Sequence, residues 1–138
     1  MQFIAQITED HDGWNVEFPD KPNVFTCGDN LEEALAMAED ALNAIVEYEV
    51  EIGLALAEPV FQKVSPNHYS IEIRPHILVA YQISQARKGQ TQTEIAQKIG
   101  ITQQSYQRLE NPKKSNPSIK TLEKVAKALG KRLEIQFV

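Results

Sequence analysis

Hydrophobic and polar residues alternate along the first part of the chain with the two-residue period of half-buried β-strands. Apolar side chains recur at every second position in residues 3–7 and again in residues 14–18, and this period places them on one face of each strand. The polar, glycine-ended stretch between the two segments predicts a hairpin loop. Further short strands are predicted at residues 24–27 and 69–74.

A helical period separates the third predicted strand from the fourth. Asn30 is a good N-cap, and Glu33 stands three positions later, as in a capping box. A single helical stripe follows, made by Leu31, Leu35, Ala38, Leu42 and Ile45. The pattern predicts a helix to about residue 56, weakened near its end by Gly53. The predicted order is β-β-β-α-β, which is an α+β layer.

The second part of the chain is predicted to be helical until its last residues. Helices are predicted at about residues 76–88, 92–99, 103–111 and 118–129, with Gly89, Gly100 and Gly130 at the ends of three of them. After Gly130, apolar residues again alternate with polar ones. This period predicts a terminal β-strand whose apolar side is formed by Leu133, Ile135 and Phe137.

The second and third of these helices fit a twenty-residue frame that begins at Gln92. Small Ala96 falls at position five, where two helices can cross closely, and Gly100 falls at position nine, at the turn. Apolar residues occupy positions four, eight, ten, fifteen and eighteen, which are Ile95, Ile99, Ile101, Tyr106 and Leu109. This conjunction predicts a helix-turn-helix that binds DNA. The alternative is a small helical bundle whose spacing is coincidental.

The polar residues of this frame supply candidate DNA contacts. Glutamine can form a bidentate pair with adenine and arginine with guanine, and the start of a recognition helix enters the major groove. Lysines in the loop that follows are suited to phosphate. The DNA-binding residues predicted from this frame are Thr102, Gln103, Gln104, Ser105, Gln107, Arg108, Lys113 and Lys114.

Charge divides the chain into the same two parts. Residues 1–80 carry three bases against fifteen acids, a balance of −12, whereas residues 81–138 carry eleven bases against four acids, a balance of +7. The basic part suits nucleic acid, and the acidic part would attract a basic protein, unless both charge sets serve solubility alone. We therefore predict two domains, residues 1–75 and residues 76–138.

Other features exclude several classes of protein. No apolar run approaches the ~18 residues of a membrane span, the start lacks a signal-peptide pattern, and Cys27 is the lone cysteine, so we expect a cytoplasmic protein. Asp10, His11 and Asp12 are a possible metal-binding trio, but acidic residues are common in a hairpin loop. His68 and His76 lack zinc-site spacing, and no catalytic motif is present. We predict no catalytic residues, no metal and no cofactor.

In the first part, the segment from Gly13 to Asp20 ends in Phe-Pro-Asp, and the segment from Phe25 to Leu35 contains Gly-Asp and Leu-Glu-Glu-Ala. With these motifs, the first part resembles the HicB antitoxins. The resemblance implies a partial ribonuclease-H-like fold that lacks the catalytic carboxylates, in keeping with a first strand that carries no acid before Glu9. It also implies a partner, a HicA-like basic toxin that cleaves mRNA.

The second part resembles the recognition segment of lambdoid phage repressors, that is, a Cro/cI-type domain. The resemblance is carried by residues 100–105 and 109–111. It implies that Gln103, Gln104 and Arg108 read the bases. It also adds Gln92 and Asn111 to the predicted DNA-binding residues, since it implies that Gln92 braces Gln103 and touches phosphate and that Asn111 meets the DNA backbone. Two departures stand out. Gln90 replaces a usual apolar residue, and Gln85 stands where an arginine often pairs with Glu110, unless Arg87 takes that role.

A lone terminal strand would leave its backbone groups unpaired, so we predict that it pairs with the same strand of a second chain. Leu133, Ile135 and Phe137 are the predicted dimerisation residues, in a homodimer or higher oligomer that binds an inverted repeat. The sequence thus predicts an antitoxin that represses its own operon. The alternatives are a stand-alone helix-turn-helix regulator with an N-terminal ligand-sensing domain and, less well supported, an enzyme.

Overall fold

The computed structural model describes all 138 residues, which fold into two compact units, unit 1 (Met1–Arg74) and unit 2 (Pro75–Val138). The elements in chain order are β1 (Gln2–Asp10), β2 (Gly13–Glu17), β3 (Phe25–Gly28), α1 (Leu31–Glu51), β4 (His68–Glu72), α2 (Pro75–Ala86), α3 (Gln92–Ile99), α4 (Gln103–Glu110) and α5 (Ile119–Ala128). The mixed α+β class and the β-β-β-α-β order of the first unit are confirmed. None of the five helices is both long enough and apolar enough to cross a membrane.

Unit 1 is built on a four-stranded antiparallel sheet with the strand order β3-β2-β1-β4. The predicted alternation places Phe3, Ala5 and Ile7 of β1 on the buried face, each at most 3% exposed. Val16 of β2 and Ile71 of β4 are also buried. One face of the sheet therefore forms the floor of the core, which α1 covers.

Helix α1 begins as its capping pattern predicts, because the Asn30 side chain accepts a hydrogen bond of 2.8 Å from the backbone N–H of Glu33. Its end differs from the prediction. The helix stops at Glu51 rather than near residue 56, since Gly53 adopts a positive φ of 83° that ends the helical path. The fully buried stripe is also rotated from the predicted one and consists of Ala34, Ala38, Leu42, Val46 and Val50, together with Asn43.

Small residues let α1 lie very close to the sheet. A Cβ atom added to Gly28 would lie 2.5 Å from the backbone nitrogen of Ala34, a distance that real Cβ atoms do not reach. The Gly-Asp-Asn sequence that leads from the end of β3 into α1 therefore serves two purposes. Gly28 permits the close approach, and Asn30 then caps the helix that follows.

The four helices of unit 2 share one core. Ile83 of α2, Ile95 and Ala96 of α3, and Tyr106 and Leu109 of α4 are buried against α5. Thr102 and Ser118 cap α4 and α5, each accepting a 3.1 Å hydrogen bond from a backbone N–H three residues later. These helices lie within one or two residues of their predicted bounds.

The predicted terminal strand is not confirmed in the single chain. Residues 131–138 have no regular secondary structure, and Ile135 and Phe137 are 57% and 100% exposed. The physical reason is the absence of a neighbouring strand in the helical unit 2, because a β-strand persists only where its backbone groups find partners.

Candidate functional site

The centre of unit 2 is a pair of helices, α3 and α4, joined by a tight turn at Gly100. Helix α3 begins with a complete capping box, in which the Thr91 side chain accepts from the Glu94 backbone and the Glu94 side chain accepts from the Thr91 backbone. Gly100 adopts the left-handed conformation, with φ 76°, that the turn requires. Ile101, predicted to fill the corner, is 36% exposed and lies at its rim.

An ion-pair network holds the two helices against α2. The Arg87 guanidinium donates to both carboxylate oxygens of Glu110, at 2.6 and 3.0 Å, and the Glu110 side chain is only 8% exposed. Hydrogen bonding to Glu110 raises the pKa of Arg87 above its ordinary value. Arg87 therefore forms the ion pair with Glu110 that Gln85, at the usual position of the arginine, cannot form.

Gln92 joins the same network. Its side-chain amide donates to Glu110 at 3.3 Å, so in this structure it braces Glu110 rather than Gln103, contrary to the expectation from phage repressors. Because it is only half-buried, it still borders the exposed surface near the start of α3. Helices α3 and α4 and the residue that follows α2, Arg87, thus meet at one carboxylate.

Gln90, the other departure from the repressor pattern, is explained by polar contacts. Its side-chain oxygen accepts from the Lys98 ammonium at 3.0 Å, and its backbone carbonyl accepts from Arg87 at 2.9 Å. These bonds fix the connection between α2 and α3 without an apolar side chain. Sequence reasoning did not foresee them, because they depend on how the connection folds.

Helix α4 presents one continuous polar face. Tyr106 and Leu109 are buried beneath it, and burial raises the pKa of Tyr106 above its ordinary value. The exposed side chains of α4 and its N-cap are the predicted ones, namely Thr102, Gln103, Gln104, Ser105, Gln107 and Arg108. The hydroxyls of Thr102 and Ser105 contact each other at 3.0 Å within the cap. The long side chains at 103, 104, 107 and 108 are therefore best placed to reach outward.

The loop after α4 continues this face. A shallow groove of about 240 Å³ is lined by Gln104, Gln107, Arg108, Asn111 and Lys114. Asn111 forms the C-cap of α4, and its side chain accepts from the backbone N–H of Lys113 at 3.0 Å. The structure thus places eight of the predicted residues, from Gln103 to Lys114, along one stretch, in which Asn111 is half-buried and the other seven are exposed. The cationic groups of Arg108 and two lysines lie at its end.

The loop owes its shape to residues that sequence reasoning missed. Pro112 and Ser115 are buried, and the Ser115 hydroxyl donates to the backbone carbonyl of Leu109 at 3.1 Å. The hydrophilic Lys-Lys-Ser-Asn sequence gives no signal of this burial. Its proline, which restricts the backbone immediately after the helix, is the one available indication.

The terminal segment lies beside an apolar cleft of unit 2. The cleft has a volume of about 290 Å³ and is lined by α2 and α5 residues such as Val79, Ile83 and Leu122, and by Leu133 and Ile135. Leu133 is half-buried there, whereas Phe137 is fully exposed. Of the three predicted dimerisation residues, the structure therefore brings two to the cleft and leaves one in solvent.

In unit 1, the structure brings together the trio that the sequence analysis set aside. One ligand atom of each of Asp10, His11 and Asp12 lies within 4.8 Å of the others, and all three residues are exposed. The Asp10 carboxylate already accepts from the Asp12 backbone at 2.8 Å and from Asn15 at 2.6 Å. These bonds shape the β1–β2 hairpin.

Comparisons with known proteins give two family matches, one in each part of the chain. The family model described as "HicB_like antitoxin of bacterial toxin-antitoxin system" matches residues 2–80, and the model described as "Helix-turn-helix" matches residues 83–136. The chain is similar to Antitoxin HicB 2 of Photorhabdus laumondii, with 32% identity over 98% of this chain and 95% of that protein. It is also 35% identical to Antitoxin HicB 1 of the same organism, over 91% of this chain and 79% of that protein.

Proposed function

Because the chain belongs to the HicB-like family of antitoxins of bacterial toxin–antitoxin systems, we propose that it neutralises a HicA-like basic ribonuclease and represses its own operon. The observation that carries the proposal is that one chain, similar to known antitoxins, contains both an acidic unit and a basic unit. Unit 1 has a formal charge of −12, whereas unit 2, with its helix-turn-helix, has +7. Both activities belong in the cytoplasm, where mRNA and the operator are found.

Unit 1 is the toxin-binding unit on this proposal. A strongly acidic surface speeds encounter with a basic partner and selects against acidic ones. We regard the unit as a ribonuclease-H-like scaffold used for binding rather than catalysis. In support, the carboxylates of β1, Glu9 and Asp10, are both exposed at the end of the strand, away from the buried part of the sheet.

Unit 2 is the operator-binding unit. Gln103, Gln104 and Arg108 would contact bases, while Asn111, Lys113 and Lys114 would contact the phosphate backbone. Two copies, joined through their terminal segments, would place two recognition helices about 34 Å apart, and the operator would then be an inverted repeat.

Base readers and phosphate anchors should respond differently to substitution. Gln103→Ala and Arg108→Ala are each expected to lower affinity for the operator by about 1–3 kcal/mol and to relax the preference at one base pair. Lys114→Ala should weaken binding to all DNA sequences alike and lower the salt slope of binding by about one. Binding to the operator and to random DNA, measured over a range of salt concentrations, separates the two roles.

Gln97→Ala is a matched control, since Gln97 is an exposed glutamine of α3 outside the polar face of α4. It should leave both affinities unchanged. Equal losses of specific and random binding for Gln103→Ala would remove Gln103 from the base readers, and an effect of Gln97→Ala as large as that of Gln103→Ala would place the interface elsewhere.

A stand-alone regulator with a ligand-sensing first unit is the second candidate, because unit 1 contains a groove of about 420 Å³. A sensor of this kind would repress its promoter without any toxin encoded beside it. Sequencing the neighbouring genes and testing whether a short basic product binds the chain therefore distinguish the two functions.

A further inference from the structure

The outward face of the sheet in unit 1 carries a distinct set of side chains. The strand register sets Glu17 opposite both Gln6 and Phe25, and it sets Gln6 opposite His68. Paired residues point to the same side of a sheet, so these four residues share a face. It is the face opposite Phe3 and Ala5, whose side chains point into the core.

A strap, residues 60–64, is tied across this face. The Asp20 carboxylate accepts from the backbone N–H groups of Val60 and Phe61, at 3.1 and 2.9 Å. His68 Nδ1 accepts from the backbone N–H of Val64 at 3.1 Å. The Phe61 ring meets the His68 ring edge-on, with 5.0 Å between centroids. Phe61 is therefore held in place from two directions.

The strap and the sheet enclose a groove with aromatic and proline walls. The groove is about 420 Å³, and its lining includes Glu17, Pro19, Pro22, Phe25 and Phe61. The Phe25 side chain belongs to the edge strand β3 and is 75% exposed, because no neighbouring side chain of unit 1 covers it. A large exposed aromatic side chain in a rigid groove is typical of a surface that a partner covers.

The carboxylate in the groove has no cation of its own. Lys21 is held on the helix side of the sheet, where its ammonium donates to Glu49 at 2.9 and 3.0 Å and lies 5.4 Å from the Phe3 ring centroid. Arg74 is paired with Glu39 and Asp40. Lys63, the third base of the unit, is exposed on the strap, does not line the groove and forms no ion pair with Glu17. Glu17 is therefore exposed and without an ion pair, in a unit whose charge is −12.

We propose that this groove is the docking site for an arginine or lysine side chain of the toxin, which pairs with Glu17 and packs against the rings of Phe25 and Phe61. The proposal rests on the proposed function. The occupant follows from charge complementarity, because a guanidinium or ammonium group is attracted both by a carboxylate and by the face of an aromatic ring. An arginine side chain also offers a planar surface and an aliphatic stem for the proline walls.

The test measures the affinity of the full chain for the small basic protein encoded beside it. Glu17→Gln and Phe25→Ala should each weaken binding about tenfold, and Glu17→Gln should also reduce the dependence of affinity on salt. Glu9→Gln removes an exposed carboxylate of the same sheet outside the groove, and Tyr48→Ala removes a ring of α1 that is 53% exposed. Both control variants should bind like the wild type.

The Trp14 fluorescence and the operator affinity of all four variants should equal those of the wild type, which shows that unit 1 and unit 2, respectively, are folded. If the wild type binds the basic protein and both groove variants bind it equally well, the groove is not the docking site and the proposed function stands. If the wild type itself does not bind the basic protein, the proposed function fails and the docking site fails with it. Loss of binding in the controls as large as in the groove variants would also overturn the assignment.

Discussion

Deleting residues 132–138 is expected to convert the protein largely to a monomer and to lower its operator affinity roughly 100-fold. In the single chain these residues form no strand, and of their side chains only that of Leu133 is half-buried, whereas Phe137 is fully exposed. On our proposal they pair with the same segment of a second copy. Without that pairing, each half-site of the operator must be bound independently, and the advantage of two linked contacts is lost.

Light scattering and operator binding measure the two effects. Phe137→Asp should act like the deletion, because it places a charge on the predicted dimer face. Gln136→Asp is the matched control, since its side chain alternates to the other face of a strand and should preserve the dimer. A deletion variant that stays dimeric and binds the operator normally would show that the dimer contact lies elsewhere.

Glu110→Ala is expected to lower the free energy of unfolding of unit 2 by about 2–3 kcal/mol. Tight operator binding should then be lost at temperatures at which unit 2 of the variant unfolds. Removing the carboxylate leaves the Arg87 guanidinium and the Gln92 amide without their shared acceptor. The expected loss is below that of a fully buried pair, because the Arg87 side chain is 24% exposed and water can partly replace Glu110.

Amide hydrogen exchange of residues 92–110 measures the effect within unit 2, while the single tryptophan, Trp14, reports unit 1 separately. The control is Glu123→Ala, which breaks a Glu123–Lys127 pair whose side chains are 57% and 74% exposed. That pair should be worth a few tenths of a kcal/mol at most. Similar protection losses in the two variants would mean that the Arg87–Glu110 network does not hold the helices together.

The features that sequence analysis predicted best are local ones. Asn30, Thr91 and Thr102 cap their helices as predicted, because a cap depends on two residues only three positions apart. Gly100 takes its positive φ for an equally local reason. The exposed face of α4 could also be predicted, since the helical period fixes its position once Tyr106 and Leu109 are placed in the core.

The features that sequence analysis missed depend on contacts between distant segments. The hydrogen bond of Gln92 to Glu110 spans eighteen positions, and the strap over the sheet is held by contacts between Asp20 and Phe61 across forty-one. The predicted terminal strand is not found in the single chain for a related reason. An alternating pattern reports which side chains could share a face, but it cannot supply the neighbouring strand that a single chain lacks.

The central claim is that unit 1 by itself neutralises a toxin encoded beside this chain. The most direct measurement is the growth of cells that express this neighbouring gene together with residues 1–74, with circular dichroism of the purified fragment as the check on folding. We predict that the fragment restores growth while leaving the operator unbound. A folded fragment that neither restores growth nor binds the neighbouring gene product would contradict the claim.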